Sequence, residues 1–378
     1  MVADVYERLA DSLDALPCGY PRTESGVELR ILKRLFTPEE AELATHLSLI
    51  PEPAPVVARR AGLPIAVARQ RLQAMEEKGL IFVLHSRKKP PQYMATQFAV
   101  GFFEYQLNKL DEELVRDLEE YFPVVFRHDL WQAAPQLRTV PVGESIDAQL
   151  EVMDYERAED LVRAQSRFSV APCVCRQEHT LLGDACDKPL EVCMAFGAAA
   201  EYYVQNGMGR AITGDEALDV LIQAEKAGLV LQPSNSRHAA FICACCGDCC
   251  QVLLNVKRHP QPASIVSSAF VAALDQEACS GCGTCEIRCQ MEAIAVDNGR
   301  AALDLDRCIG CGLCVNTCPS EALSLVRKPE TQQPHVPASF VDANIRLAQA
   351  RGTLGKAELA RMVVRSRIDR LLAPRAEA

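Results

Sequence analysis

The sequence predicts an α+β protein of several domains, and three observations predict this class. The chain has 378 residues, which is a soft indication of two to four domains. Segments with helical periodicity alternate with short apolar runs bounded by glycine and proline. All cysteines but Cys18 follow residue 170, so the second half of the chain differs in chemistry from the first. The predicted divisions are residues 1–105, a helical connector at 106–160, a cysteine-rich domain at 161–262, a domain with a repeated cysteine pattern at 263–328 and a helical tail at 329–378.

Charge and hydropathy exclude several classes of protein. The net charge of −10 argues against a protein that coats nucleic acid. The N-terminus lacks the basic and then apolar layout of a signal peptide. The longest apolar run, Ala263–Leu274, contains three serines and is shorter than a membrane span. We therefore expect a soluble, cytoplasmic protein, in which 18 cysteines indicate bound metal rather than disulfides.

The first 105 residues form a coherent pattern of helices and strands. A short amphipathic helix lies within residues 1–24, and a second has apolar residues at helical spacing from Leu29 to Phe36. Thr37-Pro38-Glu39-Glu40 supplies a cap and a first-turn proline for a third helix. The remaining predicted elements are helices at Val56–Ala61 and Ile65–Lys78, strands at Leu80–His85 and Tyr93–Phe98, and a basic turn at Arg87–Pro91 between the strands.

This order of helix, short turn, helix and basic hairpin resembles a winged helix-turn-helix domain. The resemblance implies DNA binding through cations on the second helix and the wing, namely Arg69, Arg71, Lys78, Arg87, Lys88 and Lys89. Glu76 and Glu77 would oppose phosphate at the end of that helix, and only Gln70 and Gln73 are amide readers of base edges. Sequence-specific DNA binding stays open, but a packing or dimerisation module is the favoured interpretation.

The connector and the tail show no apparent chemistry. The connector has Leu107, Leu110, Leu114 and Leu118 in helical register, followed by a proline-punctuated stretch with the single tryptophan, Trp131. The tail ends in a basic amphipathic helix at Lys356–Leu372, after another helical segment at Val336–Ala350. Such a helix docks on an acidic partner, on a membrane surface or on its own acidic protein. We expect the last of these.

Nine cysteines in the third region indicate a metal centre. They form two blocks, Cys173, Cys175, Cys186 and Cys193, then Cys243, Cys245, Cys246, Cys249 and Cys250. Thiolates at this density repel one another unless a cation holds them. One further [4Fe–4S] cluster is favoured over zinc, with the ligand subset open and His179 as a possible ligand. Neither block alone surrounds a metal well, so we expect the two blocks to lie together.

Two copies of one cysteine pattern follow. Each is Cys-x2-Cys-x2-Cys-x3-Cys, from Cys279 to Cys289 and from Cys308 to Cys318, with Ala-Leu-Asp before each run at the same spacing. Eight thiolates at this spacing are typical ligands of two [4Fe–4S] clusters. Zinc sites use separated cysteine pairs instead.

Residues 270–328 thereby resemble the bacterial-type dicluster ferredoxins. The resemblance implies that the fourth cysteine of each run serves the cluster of the other run. The implied ligands are Cys279, Cys282, Cys285 and Cys318 for one cluster, and Cys308, Cys311, Cys314 and Cys289 for the other. One departure is visible, since Gln290 follows Cys289 where the family usually has proline.

Almost the whole chain resembles a group of prokaryotic multidomain iron–sulfur proteins, some with a winged-helix-like N-terminus, for which no reaction is implied. We therefore expect an electron-transfer protein that passes electrons between cytoplasmic redox protein partners. The alternatives are a redox-responsive winged-helix transcriptional regulator and a catalytic iron–sulfur oxidoreductase subunit. Gly207-Met-Gly209 lacks the third glycine of a dinucleotide fingerprint, so the sequence does not indicate a nicotinamide cofactor. An enzymatic role and the oligomeric state stay open.

Overall fold

The computed structural model describes residues 4–86 and 88–374. The chain divides into two units, each with its own core. Unit 1 contains Met1–Val125, Gln205–Met208 and Asn344–Ala378, and unit 2 contains Phe126–Val204 and Gly209–Ala343. The predicted connector is thus shared between the units, and the last helix belongs with the N-terminal residues.

The described residues form helices and strands in a mixed α+β arrangement, as the sequence predicts. The α-helices are α1 Val5–Asp14, α2 Val27–Leu35, α3 Pro38–Ala44, α4 Ala54–Ala61, α5 Ile65–Glu77, α6 Glu112–Val125, α7 His128–Ala133, α8 Ala158–Arg163, α9 Val174–Leu182, α10 Gly197–Gln205, α11 Gly214–Lys226, α12 Gln251–Lys257, α13 Pro262–Ile265, α14 Thr284–Arg288, α15 Phe340–Ala350 and α16 Lys356–Leu372. The strands are β1 Glu52–Pro53, β2 Phe82–Ser86, β3 Lys89–Met94, β4 Phe168–Pro172, β5 Glu191–Phe196, β6 Arg210–Ile212, β7 Val230–Pro233, β8 Phe241–Cys245, β9 Phe270–Leu274, β10 Ile294–Asp297, β11 Arg300–Leu303 and β12 Leu323–Arg327. None of the helices in the described ranges is long and apolar enough to cross a membrane.

Unit 1 combines helices with a small antiparallel sheet in the order β1-β3-β2. α3 begins as predicted, since the Thr37 side chain accepts from the Glu40 N–H and the Glu40 carboxylate accepts from the Thr37 N–H. The core is aromatic, and rings of Tyr20, Phe98 and Tyr121 lie 4.9–5.7 Å apart, centroid to centroid. Packed aromatic side chains therefore form the centre of unit 1.

The second strand of the hairpin lies earlier than Tyr93–Phe98, the predicted range. β3 begins at Lys89, inside the predicted basic turn, and ends at Met94. The reason is a register shift, because Ser86 faces Lys89 while Leu84 faces Gln92. Pro90 and Pro91 fall in this irregular stretch, where the lack of their N–H groups does not break the ladder. Arg87 lies outside the described residues.

The last helix, α16, contacts α4 through the carboxylate of Asp369. We expected its cations to make the contact with an acidic surface instead. Asp369 is 7% exposed and accepts from Arg60 of α4 at 2.9 Å. Arg361, Arg365 and Arg367 of α16 are exposed. The helix therefore uses Asp369 as its anchor within unit 1.

Unit 2 is built on a five-stranded antiparallel sheet in the order β6-β4-β5-β8-β7. Helix α11 starts with a capping box at Thr213 and Glu216 and buries Ala217, Val220 and Leu221. Helix α11 and strand β7 lie between the two blocks of middle cysteines in the sequence. The first cysteine block runs from just after β4 into the first half of β5. The second block begins within β8 and continues after it.

The repeated cysteine runs lie between two strand pairs of the same unit. β9 pairs with β12, and β10 pairs with β11, both antiparallel. β9 precedes the first run and β12 follows the second, while the β10–β11 hairpin separates the runs. The pairing of the outer strands brings the start of one repeat beside the end of the other.

Candidate metal centres

Four cysteines line a pocket that we call the Cys289 pocket. They are Cys289, Cys308, Cys311 and Cys314. Three of them come from the second run, and Cys289 comes from the end of the first. Apolar side chains such as Ile294, Leu303 and Ile309 complete the lining. The pocket is therefore a dry enclosure with four sulfur donors.

A second pocket, the Cys282 pocket, has the reciprocal composition. Its cysteines are Cys279, Cys282, Cys285 and Cys318. Three belong to the first run, and Cys318 belongs to the second. The two pockets thus divide the eight cysteines into the two crossed sets that the dicluster resemblance implies.

Backbone N–H groups point at the sulfur atoms in both pockets. Ala293 donates to Cys289 Sγ at 3.2 Å, and Ala272 donates to Cys308 Sγ at 3.4 Å. Ala301 donates to Cys279 Sγ at 3.4 Å. Such bonds stabilise thiolate and cluster charge, and they set the potential of an iron–sulfur cluster. The chain therefore fits a negatively charged sulfur-ligated group in each pocket.

Glycine is required where the cysteine loops meet neighbouring backbone. Gly310 has a φ of +68°, and a Cβ there would lie 2.1 Å from the Phe270 carbonyl oxygen. Its counterpart Gly281 has a φ of +66°, and a Cβ there would lie 2.0 Å from the Gly299 carbonyl oxygen. Both contacts exclude a side chain, so the loops can close around their pockets only with glycine at these positions.

The two pockets differ in exposure. Cys282 is exposed, whereas Cys308 and Cys314 are each 8% exposed. Burial raises the pKa of Cys311 to about 12. Hydrogen bonding by Thr284 lowers the pKa of Cys282. A group in the Cys282 pocket therefore lies nearer to solvent than one in the Cys289 pocket.

The structure brings cysteines of both middle blocks together, and three of them form the three-thiol group. Cys186, Cys246 and Cys249 have sulfur atoms that all lie within 4.8 Å of one another. The Sγ atoms of Cys186 and Cys246 are 3.7 Å apart, and the Cys186 N–H donates to Cys249 Sγ at 3.5 Å. Two of the three side chains are buried. Three thiolates at this separation suit a single metal ion with a preference for sulfur, such as zinc or iron.

The other six middle cysteines form a separate set, the six-thiol group. Thiol hydrogen bonds connect them in the order Cys173, Cys175, Cys250, Cys245, Cys243 and Cys193. The strands explain part of this row, because Met194 of β5 faces Ile242 of β8, which makes Cys193 and Cys243 neighbours. Cys243 and Cys245 then lie on one face of β8, since side chains alternate along a strand.

Helix N-termini favour the thiolate form at two members of the six-thiol group. Cys173 precedes α9 and Cys250 precedes α12 as their capping residues. A hydrogen bond from Cys175 lowers the pKa of Cys173 to about 7. Hydrogen bonds from Cys175 and Cys245 hold the pKa of Cys250 well below its ordinary value. Backbone N–H groups at the helix starts add a smaller lowering of the pKa, that of Arg176 at Cys173 and those of Val252 and Leu253 at Cys250.

Adjacent cysteines separate into different groups at the end of β8. Cys245 and Cys250 belong to the six-thiol group, and their neighbours Cys246 and Cys249 belong to the three-thiol group. Each Cys-Cys dipeptide therefore contributes one sulfur to each group. Sequence spacing does not contain this division, because it depends on where β8 ends.

A buried arginine lies close to both groups. Arg176 is 1% exposed, and its guanidinium donates to the carbonyl oxygens of Pro189 and Ala244, each at 2.8 Å. Its Nε atom is buried and has no hydrogen-bond partner within the described chain. Burial lowers the pKa of Arg176, but the charges of four cysteines, two from each group, outweigh this and raise it. The side chain thus supplies fixed positive charge beside the thiols, a role that the sequence alone did not indicate.

Two other candidates lie outside the thiol groups. His179 is buried, its Nδ1 lies 2.8 Å from Asp184 Oδ1, and its Nε2 has no hydrogen-bond partner among the described residues. It is not a member of the three-thiol group. Cys18 belongs to unit 1 and forms no disulfide, like the other described cysteines.

The cations expected at a DNA interface are only partly available. Arg69, Lys88 and Lys89 are exposed, and Arg71 is half-buried. Lys78 donates to both carboxylate oxygens of Glu40 at 2.8 Å.

Glu76 does not face outward, contrary to the expectation that it would oppose phosphate. It is 8% exposed and lies 2.6 Å from His85 Nε2. Glu77 is exposed and accepts from Gln73 at 3.1 Å. Only one of the two carboxylates is therefore available to oppose a phosphate.

Residues 272–325 match the family model described as the 4Fe-4S dicluster domain. The region is similar to that family and supports the ferredoxin-like domain and iron–sulfur binding. No curated protein matches the chain significantly, and no solved structure does. The match covers both cysteine pockets and does not extend to the middle cysteines.

Proposed function

We propose that this protein is an iron–sulfur electron-transfer protein with two [4Fe–4S] clusters and a further metal centre. One cluster would be held by Cys279, Cys282, Cys285 and Cys318, and the other by Cys308, Cys311, Cys314 and Cys289. The observation that carries the proposal is the composition of the two pockets, each with three cysteines of one run and one of the other. That composition is the one that dicluster ferredoxins use.

When bound, each cluster would take up and release one electron at a time. The chain's own residues would hold the sulfur ligands, donate N–H groups to them and exclude water. The exposed Cys282 marks the side where a redox partner protein would approach. A chain with 18 cysteines suits the reducing conditions of the cytoplasm, so we propose cytoplasmic redox partners.

The further centre would use some of the nine middle cysteines. Iron–sulfur and zinc both fit a set of thiolates. The buried Arg176 charge beside the thiols suits a centre with net negative charge, which zinc with four thiolates and an iron–sulfur cluster with four thiolates both have. We favour iron–sulfur at this position because the neighbouring domain resembles dicluster ferredoxins.

An electron count tests the proposed function. Anaerobically purified protein is reduced with dithionite, freed of excess reductant and titrated with the higher-potential oxidant thionine under EPR observation. We expect at least two electrons per chain, with loss of the signals of reduced clusters during the titration. A protein that delivers no electrons to the dye would contradict the electron-transfer function.

A redox-responsive regulator is the second candidate, and the arrangement of unit 1 favours it. Helices α4 and α5 are followed by a hairpin, and β1 joins that hairpin in the order β1-β3-β2, which we interpret as a winged helix. Against DNA binding, Arg60 is bound to Glu52 and Asp369, and Lys78 is bound to Glu40.

Footprinting separates the two candidates. Specific protein–DNA complexes have dissociation constants of roughly 10⁻⁸–10⁻¹¹ M at physiological salt, and we expect no footprint in that range. A footprint that disappears in an Arg69→Ala, Arg71→Ala variant would favour the regulator.

A further inference from the structure

Gln290, the residue that departs from the dicluster pattern, contacts the middle cysteine block. Its side-chain Oε1 accepts a hydrogen bond from the Gly247 N–H at 2.7 Å. Gln290 is 9% exposed and Gly247 is buried, so the bond is shielded from water. A proline at this position would offer no side-chain acceptor and would leave the buried Gly247 N–H without its partner.

The contact also brings two backbones together. A Cβ on Gly247 would lie 2.2 Å from the carbonyl oxygen of Gln290 and 3.1 Å from its carbonyl carbon. Only glycine permits this approach. Gly247 and Gln290 therefore form a junction that requires glycine at position 247 and a side-chain acceptor at position 290. Proline, which the dicluster pattern usually has at position 290, does not supply that acceptor.

The junction connects two groups of sulfur ligands. Gly247 directly follows Cys246 and precedes Cys249 by two residues, and both cysteines belong to the three-thiol group. Gln290 directly follows Cys289 and itself lines the Cys289 pocket. A path of covalent bonds interrupted by one short hydrogen bond therefore runs from Cys246 Sγ to Cys289 Sγ.

Polar contacts on both sides hold the junction in place. Lys257 of α12 forms an ion pair with Glu292 at 2.9 Å. Arg288 of α14 donates to the carbonyl oxygens of Glu225 and Lys226, at 2.7 and 2.8 Å, at the end of α11. These contacts hold the residues on both sides of Cys289 and Gln290 against α12 and the end of α11.

We propose that the three-thiol group holds a redox-active iron centre that exchanges electrons with the cluster in the Cys289 pocket across the Gly247–Gln290 junction. The inference rests on the proposed function. One electron leaves the reduced cluster, which becomes oxidised, and enters the three-thiol centre, which becomes reduced. No covalent bond forms or breaks. The electron is replaced through the Cys282 pocket, where an external one-electron reductant reaches the more exposed cluster.

Rapid reduction of a Gln290→Leu variant tests this route. Leucine keeps the apolar bulk of the side chain and removes the hydrogen-bond acceptor. Anaerobic full-length protein is mixed with dithionite, freeze-quenched and examined by EPR. We expect the fast phase of the three-thiol centre to be lost, while the cluster in the Cys282 pocket, which Gln290 does not line, is reduced at the wild-type rate. Reduction of that centre at the wild-type rate in the variant would overturn the route.

Gln276→Leu is the matched control. Gln276 donates to the Ala301 carbonyl oxygen at 2.9 Å beside the Cys282 pocket and does not touch the junction. This variant should keep the fast phase. Its loss in both variants would show that the effect is not specific to the junction and would overturn the proposal.

Spin–spin interaction supplies a readout that needs no junction variant. In fully reduced wild-type protein, the EPR signal of the cluster in the Cys289 pocket should be split or broadened by the neighbouring centre. The part of the splitting that comes from the three-thiol centre should be lost in Cys186→Ser, whereas the interaction between the two ferredoxin-like clusters should remain. Identical signals in the wild type and Cys186→Ser would overturn the proposal, as would zinc in the three-thiol group.

Metal content separates the failure of this inference from that of the proposed function. About eight irons per chain would remove the further iron centre and the inference together, while leaving both ferredoxin-like clusters. More than eight irons per chain with equal rates in the wild type and Gln290→Leu would overturn the route alone.

Discussion

Cys289 and Cys318 are the residues on which the ligand assignment depends. Each ends one run of cysteines and lines the pocket of the other run. Cys289 accepts a hydrogen bond from the Ala293 N–H, and Ser320 lies 3.7 Å from the sulfur of Cys318. Both sulfurs therefore have the polar surroundings expected of thiolate ligands.

A Cys289→Ala variant should disturb the cluster held by Cys308, Cys311 and Cys314. The reason is that this cluster would lose its fourth thiolate while the other keeps all four. EPR of the reduced variant checks this, with Cys282→Ala as the matched control that should affect the opposite cluster. Damage confined to the cluster of Cys279, Cys282 and Cys285 in the Cys289→Ala protein would contradict the crossed ligands.

Arg176 should raise the reduction potential of the middle centre, because a nearby positive charge favours the more negative, reduced form. In an Arg176→Met variant we expect a lower potential in an EPR-monitored redox titration. Loss of the hydrogen bonds to Pro189 and Ala244 should also destabilise unit 2 by on the order of 1–3 kcal/mol for each unpaired carbonyl. Arg176→Lys keeps the charge and should retain more of the potential. An unchanged potential in the methionine variant with full metal content would speak against this role.

Residue spacing alone predicted that the eight cysteines of the repeated runs are cluster ligands, because the same loop pattern occurs twice with its glycines. It did not predict how the nine middle cysteines divide between the three-thiol group and the six-thiol group, since Cys245 and Cys246 separate only at the end of β8. It also assigned Glu76 to the surface, whereas the pairing with His85 buries it. Contacts between distant segments decide these positions, and a single sequence does not contain them.

At the scale of elements, α16 shows how one buried carboxylate anchors a helix that is otherwise exposed. Asp369 accepts from Arg59 and Arg60, and Arg60 also donates to the buried Glu52. Only Ser366 and Asp369 of this helix are buried among its described side chains. The attachment of α16 therefore depends on an ion network rather than on an apolar face, which explains why its amphipathic pattern predicted the wrong contact.

An Asp369→Ala variant should weaken the attachment of α16 by on the order of 2 kcal/mol. Hydrogen bonds to charged groups contribute about 1.5–3 kcal/mol, and Arg60 keeps Glu52 as a partner. Hydrogen exchange of the α16 amides measures the change. Glu358→Ala is the control, because its exposed pair with Arg361 should contribute little. Equal protection of α16 in the wild type and Asp369→Ala would refute the anchor.

At the scale of the whole molecule, the two units depend on different forces. Unit 1 has an aromatic core, whereas unit 2 contains every cysteine after residue 170. Metal binding therefore acts on the stability of unit 2. The stability of unit 1 should depend on pH instead, through Glu104.

Glu104 is half-buried as a residue, but burial around its carboxyl group raises its pKa to about 8 from an ordinary 4.5. The folded unit thus binds the proton more tightly than the unfolded chain does. Its contribution to stability is fully present below pH 4.5 and is lost as the pH rises toward about 8. Hydrogen exchange of α6 should show this decline.

The decline should be absent in Glu104→Gln and unchanged in Glu113→Gln, whose carboxylate is exposed. A decline of the same size in Glu104→Gln would assign the pH dependence to another group.

The proposed composition is two [4Fe–4S] clusters and a further iron centre in one chain. Iron and acid-labile sulfide analysis of anaerobically purified protein tests it most directly. We predict more than eight irons per chain, about twelve with one further [4Fe–4S] cluster in the middle cysteines and about sixteen with two, with a matching amount of sulfide for the clusters. About eight irons with bound zinc would contradict the further iron centre, and iron without sulfide would contradict the account entirely.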